Sequence, residues 1–585
     1  SFGRCTLMRR RSFLASSAAL PALTQAALPE DILVRAMRDE IRRSMKKLQL
    51  ENLEKPYFLA YRIVETHSVQ SAASFGALES SSETKRRLLS TECRVGSPQL
   101  DNTNFYAART ALSGVVRINA GFGSSLSLDD DYEEFRRQLW LSTDSAYKQA
   151  VDDIAKKRAA LENRTRTGAA IADFSQEPKT ETVEMIRGEI LTLERAETLA
   201  KQLSLLFRKA AGIDYSGVRV SSTRTITRFV SSEGTEIWRA VPETTITWYA
   251  DAQAPDGMPI VDAENAVFTT TEDITANINA FVDRILRLRK APTIQRYAGP
   301  VLFEPAAAAE LFSQAFATNL LGIPRLVVDD QRFEAIFATS GPFSDKISTR
   351  VLPSHMRVTD DPTRPNMPGS YKVDEEGVTA KPTILVQGGI LKRLLNTRAI
   401  VPGVTDSTAS RRPNGVSPSN LIVDSTKGTP IADLRRDLLQ FVKDRNLEYG
   451  IVIRKIANPT DSFARPRSRN IIMTSGIGQQ SIPIAPIIEA IRVFPDGREE
   501  LIRNLEISGF TTAAFRDLAG ISTEKATLAI PFRNPRISPL TGGPILFSRV
   551  LIGMEMPALL LEDVTLRIPA GEIPKLPIVP HPSFG

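Results

Sequence analysis

The spacing of apolar residues changes from segment to segment along this chain, and that change restricts the folds open to it. After Pro29-Glu30-Asp31, the residues Leu33, Met37, Ile41 and Met45 recur at four-residue steps, the pattern of one helix face. YFLAYRIVE (57–65) and RRLLSTECRV (86–95) then read as strands joined by a Ser/Gly-containing connection. A long helix is expected from Asp129 to about Arg164. Its acids (Asp129, Asp130, Asp131, Glu133, Glu134) gather at the start and its bases (Lys156, Lys157, Arg158) near the end, as the helix dipole favours. Tyr147, Ala150, Val151 and Ile154 give it an apolar stripe. A helix over about 189–211, strands near 217–230 and 236–249, helices at 305–321 and 430–446, and strands to about 567 complete the reading. At 585 residues the chain is too long for one ordinary core. The expectation is an α+β protein: an N-terminal α/β domain (27–295) with a helical insertion at about 129–190, and a C-terminal domain (298–567) rich in antiparallel β-sheet. The Pro-containing stretch near 290–300 marks the boundary, and the Pro-rich residues 568–585 form a tail.

The formal charge of +7 points to an acidic partner only if it is concentrated. Four of the arginines (Arg4, Arg9, Arg10, Arg11) lie in residues 1–26 with no acid, leaving +3 of the +7 for everything else. That is too dilute for nucleic acid, which calls for a dense basic stripe. Residues 9–26, RRRSFLASSAALPALTQA, have a basic cluster, a short mild apolar run and small residues at the end, the layout of a signal peptide. Arg10-Arg11 followed by Ser12, Phe13 and Leu14 fits the twin-arginine pattern. Export to the periplasm or beyond is therefore expected. No unbroken apolar run reaches the roughly eighteen residues of a membrane helix.

Common catalytic constellations fail one by one. The three histidines, His67, His355 and His581, lie more than two hundred residues apart, so no pair can share a helix face for zinc. Gly415-Val416-Ser417-Pro418-Ser419 lacks the second glycine of a nucleophile elbow and has proline where the helix would begin. Cys93, the only thiol outside the expected signal segment, falls in a predicted strand with no nearby histidine. Gly476-Ile477-Gly478 does not continue into a phosphate-binding loop. Asp129-Asp130-Asp131 reads as a capped helix start before it reads as a metal site.

The helix expected at 305–321, PAAAAELFSQAFATNLL, starts with Pro305 and is followed by Gly322, the usual asymmetry of helix ends. Leu311, Phe312, Ala315, Phe316, Leu320 and Leu321 make it apolar on most sides. One narrow polar face remains, built from Ser313, Gln314, Ala317 and Thr318.

Five stretches resemble the TldD/TldE family (TldE is also called PmbA) of metallopeptidase-related proteins: VLFEPAAAAELF (301–312), DEEGVTAKPTILVQGGILKRLL (374–395), RRPNGVSPSNLIV (411–423), VFPDGREELIRNLEISG (493–509) and, more weakly, GVRVSSTRTITRFVSSEGTEIW (217–238). In catalytic TldD-type members the helix after the F-E-P-like strand carries H-E-x-x-x-H, and a later cysteine completes a zinc site. The resemblance aligns those positions with Ser313, Gln314 and Thr318, and nothing after Cys93 is cysteine. Neutral hydroxyls are poor zinc ligands, and an amide takes no proton from water at neutral pH.

The resemblance therefore implies a metal-free, TldE-like subunit with no cofactor of its own. It implies pairing with a zinc-bearing TldD-type catalytic subunit as a dimer that cleaves extended, unfolded peptides, with no nucleic acid and no membrane attachment after signal cleavage. The peptide contacts it suggests are Arg411, Arg412, Asn414 and Asn420, unless the arginines merely pair with acids such as Asp424. The alternatives are a stand-alone peptide-binding protein, or a peptidase with relocated chemistry, such as a carboxylate metal site at Asp374, Glu375 and Glu376.

Overall fold

The computed structural model describes residues 31–107, 124–162, 164, 171–186, 188–267, 271–330, 341–413, 415–460, 484–534, 549–569, 573, 576, 577 and 579. The expected signal segment lies outside these residues, as does most of the Pro-rich tail.

In the N-terminal half, helix α1 (Ile32–Lys47) is capped by Asp31, whose Oδ1 accepts from the Leu33 and Val34 amides. Strands β1 (Pro56–Ser74) and β2 (Ala77–Ser97) form one long hairpin. The polar stretch expected to link two short strands is itself strand. The chain reverses only at Phe75-Gly76, where Gly76 sits at φ +87°, a region a side chain disfavours. Helix α2 (Tyr132–Glu162) follows, its first turn held by Asp131, which accepts from the Glu134 amide. The triple aspartate is thus the start of a helix.

Among the described residues, the rest of the predicted helical insertion is not helical. Residues Glu181–Met185 are a strand, and helix α3 (Leu193–Ser204) is shorter than expected, closed by a 3₁₀ turn at Leu205–Phe207. Strands β3 (Tyr215–Ser231), β4 (Glu236–Gln253) and β5 (Pro259–Val267) extend the sheet antiparallel from β1, while 181–185 adds parallel to β4. Helix α4 (Thr271–Lys290) ends the half.

Strand alternation sorts this sheet's residues between its two faces. Leu59, Tyr61 and Ile63 pack with Leu33, Met37, Phe135, Leu139, Tyr147 and Ile154 of α1 and α2. Val69 and Ala73 join Leu199, Leu203, Ile278, Phe281 and Ile285 of α3 and α4. The intervening register, Phe58 and Ala60, packs instead with Phe174 and with Val373 of the C-terminal half. That second face is one place where the two halves meet.

The C-terminal half is built on an 11-stranded sheet. Strand β6 (Arg296–Phe303) leads into helix α5 (Pro305–Ala315). Then come β7 (Met356–Asp360), β8 (Thr383–Gln387), β9 (Asn420–Ser425), helix α6 (Ile431–Asp444), β10 (Gly450–Ile456), β11 (Ile487–Val493), β12 (Gly520–Phe532) and β13 (Val550–Arg567). Most pairings are antiparallel; β6 with β10 and β9 with β13 run parallel. Again the period of two decides what is covered. Val301, Phe303, Ile451, Ile453, Leu559 and Leu561 face Phe312 and Phe316 of the α5 segment, whereas Leu302, Val452 and Leu560 face Leu434 and Leu438 of α6. The sheet is sandwiched. The Phe316 ring touches Phe312, Phe343 and Phe515 at centroid distances of 4.6, 5.0 and 5.2 Å, so the α5 segment is pinned from several sides. The mixed α+β class with an antiparallel C-terminal sheet is as expected.

Candidate functional site

The polar face singled out in the sequence lies at the C-terminal end of α5. The α-helix stops at Ala315, and the chain tightens into a 3₁₀ turn at Ala317–Asn319. Ser313, Gln314 and Thr318 are all buried. The Gln314 amide is fully engaged: Nε2 donates to Ala457 O (2.9 Å) and Glu310 Oε2 (3.1 Å), and Oε1 accepts from the Ala485 amide (2.8 Å). Thr318 Oγ1 donates back to Gln314 O at 3.0 Å. Asn458 Nδ2 holds both oxygens of Glu310 from across the fold, at 3.1 Å each. Beside this network, between the two halves, is a cavity of about 330 Å³ lined by Trp248, Glu264, Asn277, Glu310, Lys455 and Asn458.

These residues do not fit a zinc ion. Gln314 and Thr318 have spent their polar atoms on the protein, and hydroxyl and amide oxygens are weak donors to zinc. Among the described residues no group of three or more His, Cys, Asp or Glu is placed to hold a metal. Cys93 is buried in β2, its thiol pushed up to about 12 by that burial, far from a reactive thiolate. The carboxylate alternative also fails on geometry, since each acid is committed separately. Asp374 Oδ1 accepts from the Glu376 and Val378 amides, and its Oδ2 accepts from the Arg411 amide. Glu375 takes Arg62 and Arg239, and Glu376 accepts from the Arg398 amide.

The second predicted set lies at the seam between the halves. Arg411 and Arg412 form a two-residue strand paired with Gly415-Val416 and are half-buried. Arg412 Nη1 donates to Gly369 O (3.2 Å), and its guanidinium lies 5.0 Å from the centre of the Tyr371 ring. The acid suggested as an ordinary partner, Asp424, pairs with Lys525 instead. Asn414 lies outside the described residues. Asn420 is completely buried. Its amide donates to Asp361 O and Ser370 Oγ and accepts from the Gly369 amide, so it braces the 361–370 loop from within and offers nothing to a ligand.

Sequence reasoning missed what surrounds these arginines. Arg62 of β1 and Arg239 of β4 reach across the seam to the same Glu375 carboxylate. Arg398, 3% exposed, chelates Glu233 through both terminal nitrogens (2.6 and 3.0 Å) and donates to Ser175 O. Its guanidinium lies 3.8 Å from the centre of the Phe174 ring, and Arg94 lies 3.6 Å from the same ring. Two buried aspartates complete the region. Asp360, accepting from Ser419 N and Oγ, is pushed up to about 7 by burial. Asp374 is also raised to about 7, by burial and then by the neighbouring Glu376.

Comparison with known proteins places this geometry. Residues 295–462, the stretch holding α5 and the arginine pair, match the PmbA/TldA metallopeptidase C-terminal domain. That stretch is therefore similar to a domain of the metallopeptidase-related PmbA/TldD/TldE proteins. A metalloprotease of Methanocaldococcus jannaschii is 31% identical over 116 residues, covering 20% of this chain and 23% of that protein. One of Methanothermobacter thermautotrophicus is 22% identical over 303 residues, covering 51% and 60%. The matches thus span about a quarter and three-fifths of the length of these curated relatives. The fold extends further. TldE from Thermococcus kodakarensis superposes with a TM-score of 0.52 at 12% identity, over 91% of this chain and 99% of that one. A proposed modulator of a DNA gyrase from Thermotoga maritima gives 0.55 at 13% identity, over 91% and 99%. A similar protein of Bacteroides thetaiotaomicron gives 0.54 at 11%, over 92% and 98%.

Proposed function

We propose that this chain is the non-catalytic, TldE-type member of an exported TldD/TldE-type peptidase. The observation that carries this reading is the α5 face. Where the resemblance calls for a histidine, a general base and a second histidine, the chain has Ser313, Gln314 and Thr318. Gln314 and Thr318 are committed to structural hydrogen bonds. A zinc-bearing TldD-type partner would supply the activated water and the general base. This chain would complete the dimer and hold an extended peptide through backbone hydrogen bonds at strand edges, which requires no catalytic group. The twin-arginine-like segment supports export, a route that carries proteins already folded and so suits a preassembled pair.

The test is reconstitution. The chain, a candidate TldD-type protein with an intact H-E-x-x-x-H, and a mixture of the two are assayed on an unfolded peptide, with size-exclusion chromatography and light scattering alongside. Cleavage by the mixture, together with a heterodimer, is the expected result. A chain that forms only homodimers and leaves the partner's activity unchanged would point to the stand-alone peptide-binding protein.

A further inference from the structure

The seam's arginines share its carboxylates unevenly. Arg62, Arg239, Arg411 and Arg412 converge there, brought from both halves of the molecule. Glu375 serves two of them at once, bonding Arg62 and, at 2.8 Å, Arg239, while Glu184 takes the remaining side of Arg239 at 2.9 Å. No carboxylate lies within ion-pair distance of Arg411 or Arg412 among the described residues. The Arg411 guanidinium has no hydrogen bond there, and that of Arg412 has only a backbone carbonyl and the Tyr371 ring.

The other acids facing this pair are already occupied. Asp374 is bound by three backbone amides, Glu376 by the Arg398 amide, Asp360 by Ser419, and Glu92 by Arg94. Burial, with like charges nearby, pulls both Arg62 and Arg412 below the ordinary arginine range, so the cluster is destabilised as it stands. Arg411 and Arg412 nevertheless remain half-buried and not sealed. Two adjacent planar five-donor groups, half-buried and without a carboxylate partner among the described residues, are suited to a planar anion with two oxygens.

We propose that Arg411 and Arg412, backed by the Arg62–Glu375–Arg239 bridge, form a binding site for a carboxylate of the bound peptide. The identity of the carboxylate's owner rests on the peptide reading given above; the anion site itself does not. The bridge acts as a positioning device, because Glu375 holds Arg62 and Arg239 together across the seam and fixes the rim on which Arg411 sits. A C-terminal carboxylate and an acidic side chain share this chemistry.

The experiment uses the full chain in three arms at constant ionic strength. First, succinate is titrated into the wild type and Arg411→Gln, with thermal unfolding as the readout and chloride and sulfate as reference anions. Succinate is expected to raise the unfolding temperature of the wild type above the reference anions. Arg411→Gln should lose at least ~10-fold in apparent affinity while unfolding normally in chloride, since no described hydrogen bond holds its side chain. Second, Arg411→Lys should recover only part of the binding, because it keeps the charge and loses the fork. Third, an acetylated alanine peptide with a free C-terminus is compared with its C-terminal amide and with an amidated peptide carrying one internal glutamate. A ~10-fold preference for the free acid over both amides assigns the site to a chain end, and equal binding of free acid and glutamate peptide assigns it to acidic groups generally.

Equal stabilisation of wild type and Arg411→Gln by succinate, or equal effects of succinate and chloride, would overturn the site. Peptides that bind equally well to both proteins, with or without a carboxylate, would overturn it while leaving the peptide reading intact. Succinate binding lost in Arg411→Gln but no binding of any peptide would leave the anion site standing and remove the peptide reading.

Discussion

Two polar regions of this molecule, the α5 face and the arginine seam, have opposite character. On the α5 face Ser313, Gln314 and Thr318 are neutral and buried, and the Gln314 amide and the Thr318 hydroxyl each have a protein partner. At the seam the groups are charged, partly open to solvent and unevenly paired. A satisfied network, in which even the Glu310 carboxylate is held by Gln314 and Asn458, costs little to keep. An unevenly paired ionic cluster is expensive to bury and is retained where the charge has a use. On the proposed reading, the region that resembles a catalytic centre by position is the quiet one, and recognition falls to the seam.

The largest effect should come from dismantling the seam's frame. Arg398→Ala removes a buried guanidinium that joins Glu233, Ser175 and the Phe174 ring, leaving Glu233 facing an empty site. A loss of about 3–5 kcal/mol is expected for breaking one side of such a pair, measured by denaturant unfolding. A change below about 1 kcal/mol would make the seam a surface feature and erase the contrast.

Next is Gln314→Leu. It strands the Ala485 amide and the Ala457 carbonyl, for which about 1–3 kcal/mol is expected. Gln314→Glu sharpens the same point, because it restores the acid without the metal. A carboxylate there faces Glu310 and the Ala457 carbonyl, so its pKa in the fold would be raised. The variant should be near wild-type stability in acid and lose stability as pH rises above the ordinary glutamate range. Zinc uptake by Gln314→Glu would contradict the reading of α5.

The seam's aspartates give a pH signature. Asp360 titrates near 7 in the fold and near 3.8 when unfolded, so between these values the folded state carries the extra proton. Its contribution to stability is fully present below about pH 4 and is lost as pH rises through 7, with a slope of at most about 1.4 kcal/mol per pH unit. Asp360→Asn cannot ionise and should flatten that decline, as followed by unfolding at a series of pH values. An unchanged slope would show that Asp360 ionises freely. The smallest effect belongs to Arg411→Gln, expected to stay within about 0.5 kcal/mol of wild type because it breaks no bond the fold uses.

How much of this could be read from the sequence follows the range of each interaction. Local signals worked: Asp31 caps α1, and Pro305 opens a helix with the predicted buried face. Alternation placed β3 and β4 within a few residues. The polar stretch 66–85 was not legible as strand, because cross-strand pairing overrides its weak propensity. Helix α4 carries a helical period at Ile274, Ile278, Phe281, Ile285 and Leu288 that the expected elements do not include. The α5 substitutions were legible from a motif, and their satisfaction by Ala457 and Ala485 was not. At the seam, Arg411 and Arg412 stood out as a pair. Arg62 and Arg239 come from strands far away in sequence, and the only hint was a charged residue inside an otherwise apolar alternation. Asn420 shows the converse, a polar residue in a motif whose role is to brace a loop.

The most direct measurement of the central claim is zinc content, by mass spectrometry of the full chain purified without chelators and dialysed against zinc, then again in complex with a TldD-type partner. The account predicts no stoichiometric zinc on the isolated chain and one zinc per heterodimer, held by the partner. One zinc per isolated chain, lost on substitution of Ser313, Gln314 or Thr318, would contradict it.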